Sequence, residues 1–185
     1  MSTTGQRTHL AGRRDWLRSI ALLGFAIPAL RAGSQKGGDA APGAKGRPLE
    51  LETIDGNVIQ VHKQPGKVVL VDFMTTTCPS CRQASEALQA LYKELGAKGF
   101  LAVAIAIDPQ AAKVLPIYRN LYGLTFPVGT LPREEVLRYL DHPEDKPLYV
   151  PTLVLLDKQG RISMTRTGWP GEQELRAAVL RLLEQ

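Results

Sequence analysis

The chain is poor in the residues that build several common classes of protein. Among 185 residues there are two cysteines and three histidines, and aromatics make up 6%. Two cysteines cannot staple a disulfide-rich scaffold, so a hydrophobic core has to carry the fold. No uncharged apolar run approaches the roughly 18 residues of a confident membrane span. Acidic charge is scarce at one end only. Residues 1–32 hold Arg7, Arg13, Arg14, Arg18 and Arg31 against Asp15, leaving 18 basic and 17 acidic residues elsewhere. Four of the five net positive charges therefore sit in the N-terminal segment. A near-neutral body excludes a nucleic-acid-binding surface as the explanation of the basic pI. With 44% hydrophobic and 22% charged residues, the rest has the composition of one folded domain.

The N-terminus reads as an address. Arg13-Arg14-Asp15-Trp16-Leu17-Arg18 precedes the apolar run Ser19 to Leu30, the layout of a bacterial export signal. The arginine pair, with Trp16 and Leu17 after it, resembles the twin-arginine pattern. Leu30 stands where a small residue is usual before Ala32, so an uncleaved anchor is the alternative to a cleaved signal. Residues 33–47, rich in glycine and small polar residues, read as a flexible linker. The folded domain is expected over 48–185, in the periplasm or at the outer face of the cytoplasmic membrane.

Within it, Leu49–Ile54 and Val58–Val61 flank Asp55-Gly56-Asn57, a hairpin signal. Lys67–Met74 and Gly99–Ile107 are nearly unbroken apolar runs, as in strands covered on both faces. Helices are predicted over 79–98, 110–122, 132–140 and 171–184, with Pro116 expected to kink or split the second. Residues 123–128 read as a loop or short strand, and 152–156 with 161–166 as a second hairpin. This order predicts an α/β fold, a mixed central sheet with helices on both faces.

The chemistry is concentrated at Cys78-Pro79-Ser80-Cys81, just after a buried strand and at the start of a helix. Unpaired amide N–H groups and the positive end of the helix dipole favour a thiolate there. Pro79 suits the first helical position, where a missing N–H costs nothing. The spacing lets Cys81 reach back to Cys78, so a disulfide can open and close with little backbone movement. Cys78 is the expected attacking thiolate and Cys81 the buried resolving thiol. Two sulfurs suffice for this exchange, which calls for no cofactor and no metal. A zinc site would need four ligands, and His62 and His142 lie at unrelated spacing.

These residues resemble the thioredoxin superfamily, more narrowly the TlpA/ResA-like membrane-tethered thiol-disulfide oxidoreductases. The resemblance covers about 48–185 and rests on ordered landmarks. They are Gly66–Phe73 leading into Cys78–Arg82, then Tyr122–Val128, Val150-Pro151-Thr152, and Leu155–Ile162. It implies a thioredoxin-like fold with an N-terminal β-hairpin extension. Pro151 matches a proline with a cis peptide bond lying against the active cysteines, which would leave the Val150 backbone to pair with an extended substrate. Asp72 matches a buried acid that would accept the Cys81 proton. Thr77 stands where the family usually has tryptophan, altering the surface that a partner meets. Ala84 stands where ResA-like members carry an acid, with Glu86 two residues on. The resemblance implies protein partners with disulfides or thiols, and a membrane electron-transfer protein keeping the dithiol reduced.

Two other functions are weighed by residue. A peroxiredoxin would carry Pro-x-x-x-Thr-x-x-Cys; Thr75 and Cys78 fit, but Val71 holds the proline position. A Sco-like copper chaperone would add a distant histidine to two cysteines. That family has three residues between its cysteines where this chain has two, and His142 is expected to be a solvated loop residue.

Overall fold

The computed structural model describes Met1, Gly43 and residues 45–185. The expected export signal over 1–32, apart from Met1, and all of the linker but Gly43 and 45–47 lie outside the described residues. Among the described residues no helix is long and apolar enough to cross a membrane.

The elements run β1 (Glu50–Glu52), β2 (Val58–Gln60), β3 (Val68–Met74), α1 (Pro79–Leu95), β4 (Phe100–Ala106), α2 (Ala111–Leu121), β5 (Val128–Thr130), α3 (Arg133–Leu140), β6 (Thr152–Leu156), β7 (Ile162–Thr167) and α4 (Glu172–Leu183). Five strands form a mixed sheet in the order β5-β4-β3-β6-β7. β3 pairs parallel with β4 and antiparallel with β6, so it lies at the centre. All seven residues of β3 and all seven of β4 are buried. The unbroken apolar runs in the sequence follow from that two-sided cover.

Alternation along β3 sorts the core into two layers. Val68, Leu70 and Met74 pack with Cys81, Leu88 and Leu91 of α1, Leu115 and Tyr118 of α2, and Val179 of α4. Val69, Val71 and Phe73 pack on the opposite face with Leu51 and Val61 of the hairpin region and Val136 and Tyr139 of α3. Phe73 and Tyr139 meet with ring centroids 5.5 Å apart. Asp72 belongs by parity to the α1 layer, between Ala104 of β4 and Leu153 of β6.

Three local expectations are revised. Helix α1 stops at Leu95, and a 3-10 turn over Gly96–Lys98 leads to Gly99, whose φ of 96° suits glycine alone. Helix α2 runs unbroken through Pro116, held by the buried Ala111, Leu115 and Tyr118 on either side of it. Of the two readings of 123–128 the loop holds as far as Pro127, and β5 begins at Val128, where the parallel pairing with β4 starts. His142 is half-buried rather than solvated. Its backbone N–H returns to the Leu137 carbonyl after Asp141 turns left-handed at the end of α3, and this encloses Nε2.

The hairpin β1–β2 forms its own two-stranded sheet and reaches the main sheet through a bridge between Thr53 and Gly129. Gly129 permits that approach. A Cβ there would lie 2.8 Å from Leu51 Cδ1 and against the Glu52 carbonyl.

Candidate functional site

β3 ends at Met74, and Thr75-Thr76-Thr77 turns the chain into α1. Asp108, just beyond the parallel neighbour β4, holds this turn. Its Oδ1 accepts from the Thr76 N–H at 2.8 Å and its Oδ2 from the Thr76 hydroxyl at 2.9 Å. The turn delivers Cys78 as the N-cap of α1, with extended dihedrals (φ −80°, ψ 121°) and Pro79 in the first turn. The Cys78 Sγ accepts from the Cys81 N–H at 3.3 Å, so sulfur takes the place of an ordinary capping oxygen. Ser80 Oγ lies 3.2 Å from the same sulfur. The Val150 carbonyl stands 3.8 Å away on the opposite side.

The two thiols differ sharply. Cys78 is half-buried, whereas Cys81 is fully enclosed beneath it, and both are free. Burial pushes the Cys78 thiol up, but hydrogen bonds from the side chains and backbone of Cys81 and Ser80 together outweigh it. The thiol is left below its ordinary 9.0. Cys81 moves the other way. Burial and the hydrogen bond it gives to Cys78 raise it far above the usual thiol range, with the charges of Asp72 and Cys78 adding to the effect.

Asp72 is completely buried, and neither carboxyl oxygen has a partner among the described residues. Burial first, and then the negative charge of Cys78, push its carboxyl up to about 8. Beside it in the α1 layer, the Ser85 and Tyr118 hydroxyls meet at 3.0 Å.

On the far side of Cys78 the Val150–Pro151 peptide is cis. Pro151 is buried, and its carbonyl accepts from the Gly168 N–H at 2.8 Å. The Val150 N–H has no backbone partner among the described residues. Thr77 and Pro79, flanking Cys78, are exposed.

The structure thus gathers Cys78, Cys81, Asp72, Val150 and Pro151 at one end of the sheet, with Thr77 and Pro79 on the rim. His142 joins no such group. Among the described residues no set of three or more histidine, cysteine and acidic side chains is placed to hold a metal ion. Sequence reasoning missed Ser80 as a sulfur partner, although it lies inside the motif. It also missed Asp108, whose place after the carboxyl end of a parallel strand is a general site position. The Ser85–Tyr118 pair left no sequence signal, since a seryl and a tyrosyl 33 residues apart have no readable spacing.

Fold and site define a thioredoxin-like protein, a mixed sheet presenting two neighbouring thiols at a helix N-terminus. The chain belongs to the Redoxin family, whose model matches residues 36–179. It is 30% identical over 124 residues to the thiol-disulfide oxidoreductase ResA of Halalkalibacterium halodurans, covering 66% of each chain. It is 34% identical over 91 residues to the ResA of Oceanobacillus iheyensis, covering 49% of this chain and 46% of that one. The chain thus spans just under two thirds of the first relative's length and about half of the second's. Among solved structures, a thiol:disulfide interchange protein of the thioredoxin family from Chlorobium tepidum TLS superposes with a TM-score of 0.68. It is 25% identical, over 78% of this chain and 99% of that one.

Proposed function

We propose that this protein is a thiol-disulfide oxidoreductase of the cell envelope, acting on protein partners and more as reductant than as oxidant. The observation that carries the reading is the environment of Cys78. Its half-exposed sulfur is stabilised by donors from Cys81 and Ser80, directly above a buried second thiol. The names of the relatives point the same way.

In the forward direction the Cys78 thiolate attacks one sulfur of a partner's disulfide. A Cys78–partner bond forms, and the other partner sulfur leaves as thiolate. Cys81 then gives its proton through water to Asp72 and attacks Cys78, closing the Cys78–Cys81 disulfide and releasing the partner as a dithiol. Two electrons pass from this protein to the partner. Asp72 is suited to the second step because the Cys78 charge disappears in the mixed disulfide. With that repulsion gone its carboxyl ionises more readily at neutral pH, when a base is needed. The Val150 edge beside the sulfur is a place for an extended partner segment, with Pro151, Thr77 and Pro79 forming the contact surface.

Residues 1–32 act in this reading as a twin-arginine-type export signal or anchor, and 33–47 as the linker to the domain at 48–185. A membrane electron-transfer protein returns the dithiol to its reduced state. The test is a trap. Cys81→Ser is expected to accumulate mixed disulfides with envelope proteins, whereas Cys78→Ser is expected to form none. Redox titration against glutathione fixes the direction. A potential below about −200 mV marks a reductant and one near about −120 mV an oxidant. Absence of trapped species, together with no turnover of a model disulfide, refutes the proposal.

A further inference from the structure

The large hydrophobic side chains exposed among the described residues are Met1, Val58, Ile117, Leu121 and Tyr149, so Tyr149 is the aromatic one. The residue is 63% exposed, although tyrosine normally buries most of its apolar body. It also immediately precedes Val150, whose carbonyl stands 3.8 Å from the Cys78 sulfur. The neighbours of Cys78 in sequence, Thr77 and Pro79, present no aromatic ring.

The backbone that carries the ring is held in place. The Tyr149 carbonyl accepts from the Thr152 hydroxyl at 2.7 Å, and Gly168 ties the Pro151 carbonyl from the β7 side. On either side of Tyr149 the chain is anchored to the core. Leu148 packs on the α3 layer and Val150 on the α1 layer. Tyr149 packs on neither. A fixed backbone with an unpacked ring is a pre-organised contact whose ordering cost is small, because tyrosine has two side-chain torsions.

We propose that Tyr149 is a substrate-contacting residue selecting partner segments with an aromatic or large apolar residue directly next to the reactive cysteine. This rests on the oxidoreductase reading above and names its substrate class. The geometry supplies the register. A segment lying along the Val150 edge turns its cysteine towards Cys78, and residues adjacent in an extended chain point to the opposite face. Tyr149, exposed and one residue before Val150, is then the aromatic side chain this loop offers to a residue flanking that cysteine. Stacking or edge-to-face contact with that ring holds the segment while sulfur attacks sulfur.

The test uses the full chain carrying Cys81→Ser and two activated peptide disulfides, Gly-Phe-Cys-Phe-Gly and Gly-Gly-Cys-Gly-Gly, each coupled through cysteine to thionitrobenzoate. Release of the coloured thiolate gives the second-order rate constant for attack by Cys78. The phenylalanyl peptide is expected to react about tenfold faster, equivalent to about 1.4 kcal/mol. In Tyr149→Ala the ratio is expected to fall towards one, and in Tyr149→Phe to be retained, since the ring rather than the hydroxyl makes the contact. Unfolding curves of the three proteins confirm that the ratio is read on folded chains. Equal rates for the two peptides in the parent, or an undiminished ratio in Tyr149→Ala, overturn the proposal while leaving the exchange chemistry intact. A parent that attacks neither peptide overturns the oxidoreductase reading itself, and this one with it.

Discussion

Asp72 places an ionisable group where it has no partner among the described residues, and its titration should be visible in the stability of the whole protein. Its carboxyl has an ordinary value of 3.8 and is pushed to about 8 by complete burial and by the charge of Cys78. Between those values the unfolded chain has released the proton and the folded one keeps it. Folding then takes up a proton, and stability falls as pH rises, by about 1.4 kcal/mol per pH unit. The loss is absent below the unfolded value and complete above the folded one. Asp72→Asn keeps the shape and removes the ionisation. At pH 4.5 both side chains are neutral and lack partners, so the two proteins should be close in stability. By pH 7.5 the wild type should have lost about 4 kcal/mol relative to the variant. Urea unfolding of the reduced proteins at pH 4.5, 6.0 and 7.5 measures this directly, provided the m-values agree. The same substitution should slow the closing of the Cys78–Cys81 disulfide while leaving the first attack by Cys78 largely intact. A stability difference that stays constant from pH 4.5 to 7.5 would refute the reasoning. It would mean that Asp72 ionises as a solvated or paired carboxylate does.

Two further outcomes follow from other parts of the molecule. Iodoacetamide should modify Cys78 in the folded protein with a pH midpoint below the ordinary 9.0, and spare Cys81 until the chain is unfolded. Mass spectrometry of the alkylated peptides reads both, and equal labelling of the two thiols would contradict their assigned environments. Gly129→Ala should cost about 1–3 kcal/mol, because the added methyl meets the Leu51 side chain and the Glu52 carbonyl where the hairpin joins β5. Loss of hydrogen-exchange protection confined to β1, β2 and β5 would identify the joint, and unchanged stability would exclude it.

Much of the architecture could be read from the order of the residues because its signals are local. The two apolar runs that became β3 and β4 are too long and too uniformly hydrophobic for surface strands. The position of Cys78 at the head of α1 follows from a strand, a polar turn and a proline in sequence. The resemblance to thioredoxins pointed to the cis bond before Pro151, which the structure contains. The errors occurred where distant segments settle a local choice. The continuity of α2 through Pro116 depends on side chains buried in the α1 layer, and the enclosure of His142 on the turn that follows α3.

Composition and spacing alone predicted one folded domain after a basic, apolar N-terminal segment, and placed two thiols at the beginning of a helix. They did so because apolar periodicity, turn chemistry and helix-end electrostatics act over a few residues. Only the tertiary structure decided how unlike the two thiols are, that Asp72 is sealed in without a partner among the described residues, and that Tyr149 is left exposed one residue before Val150. Burial is a property of the neighbours a residue acquires, and those neighbours come from strands and helices dozens of positions away.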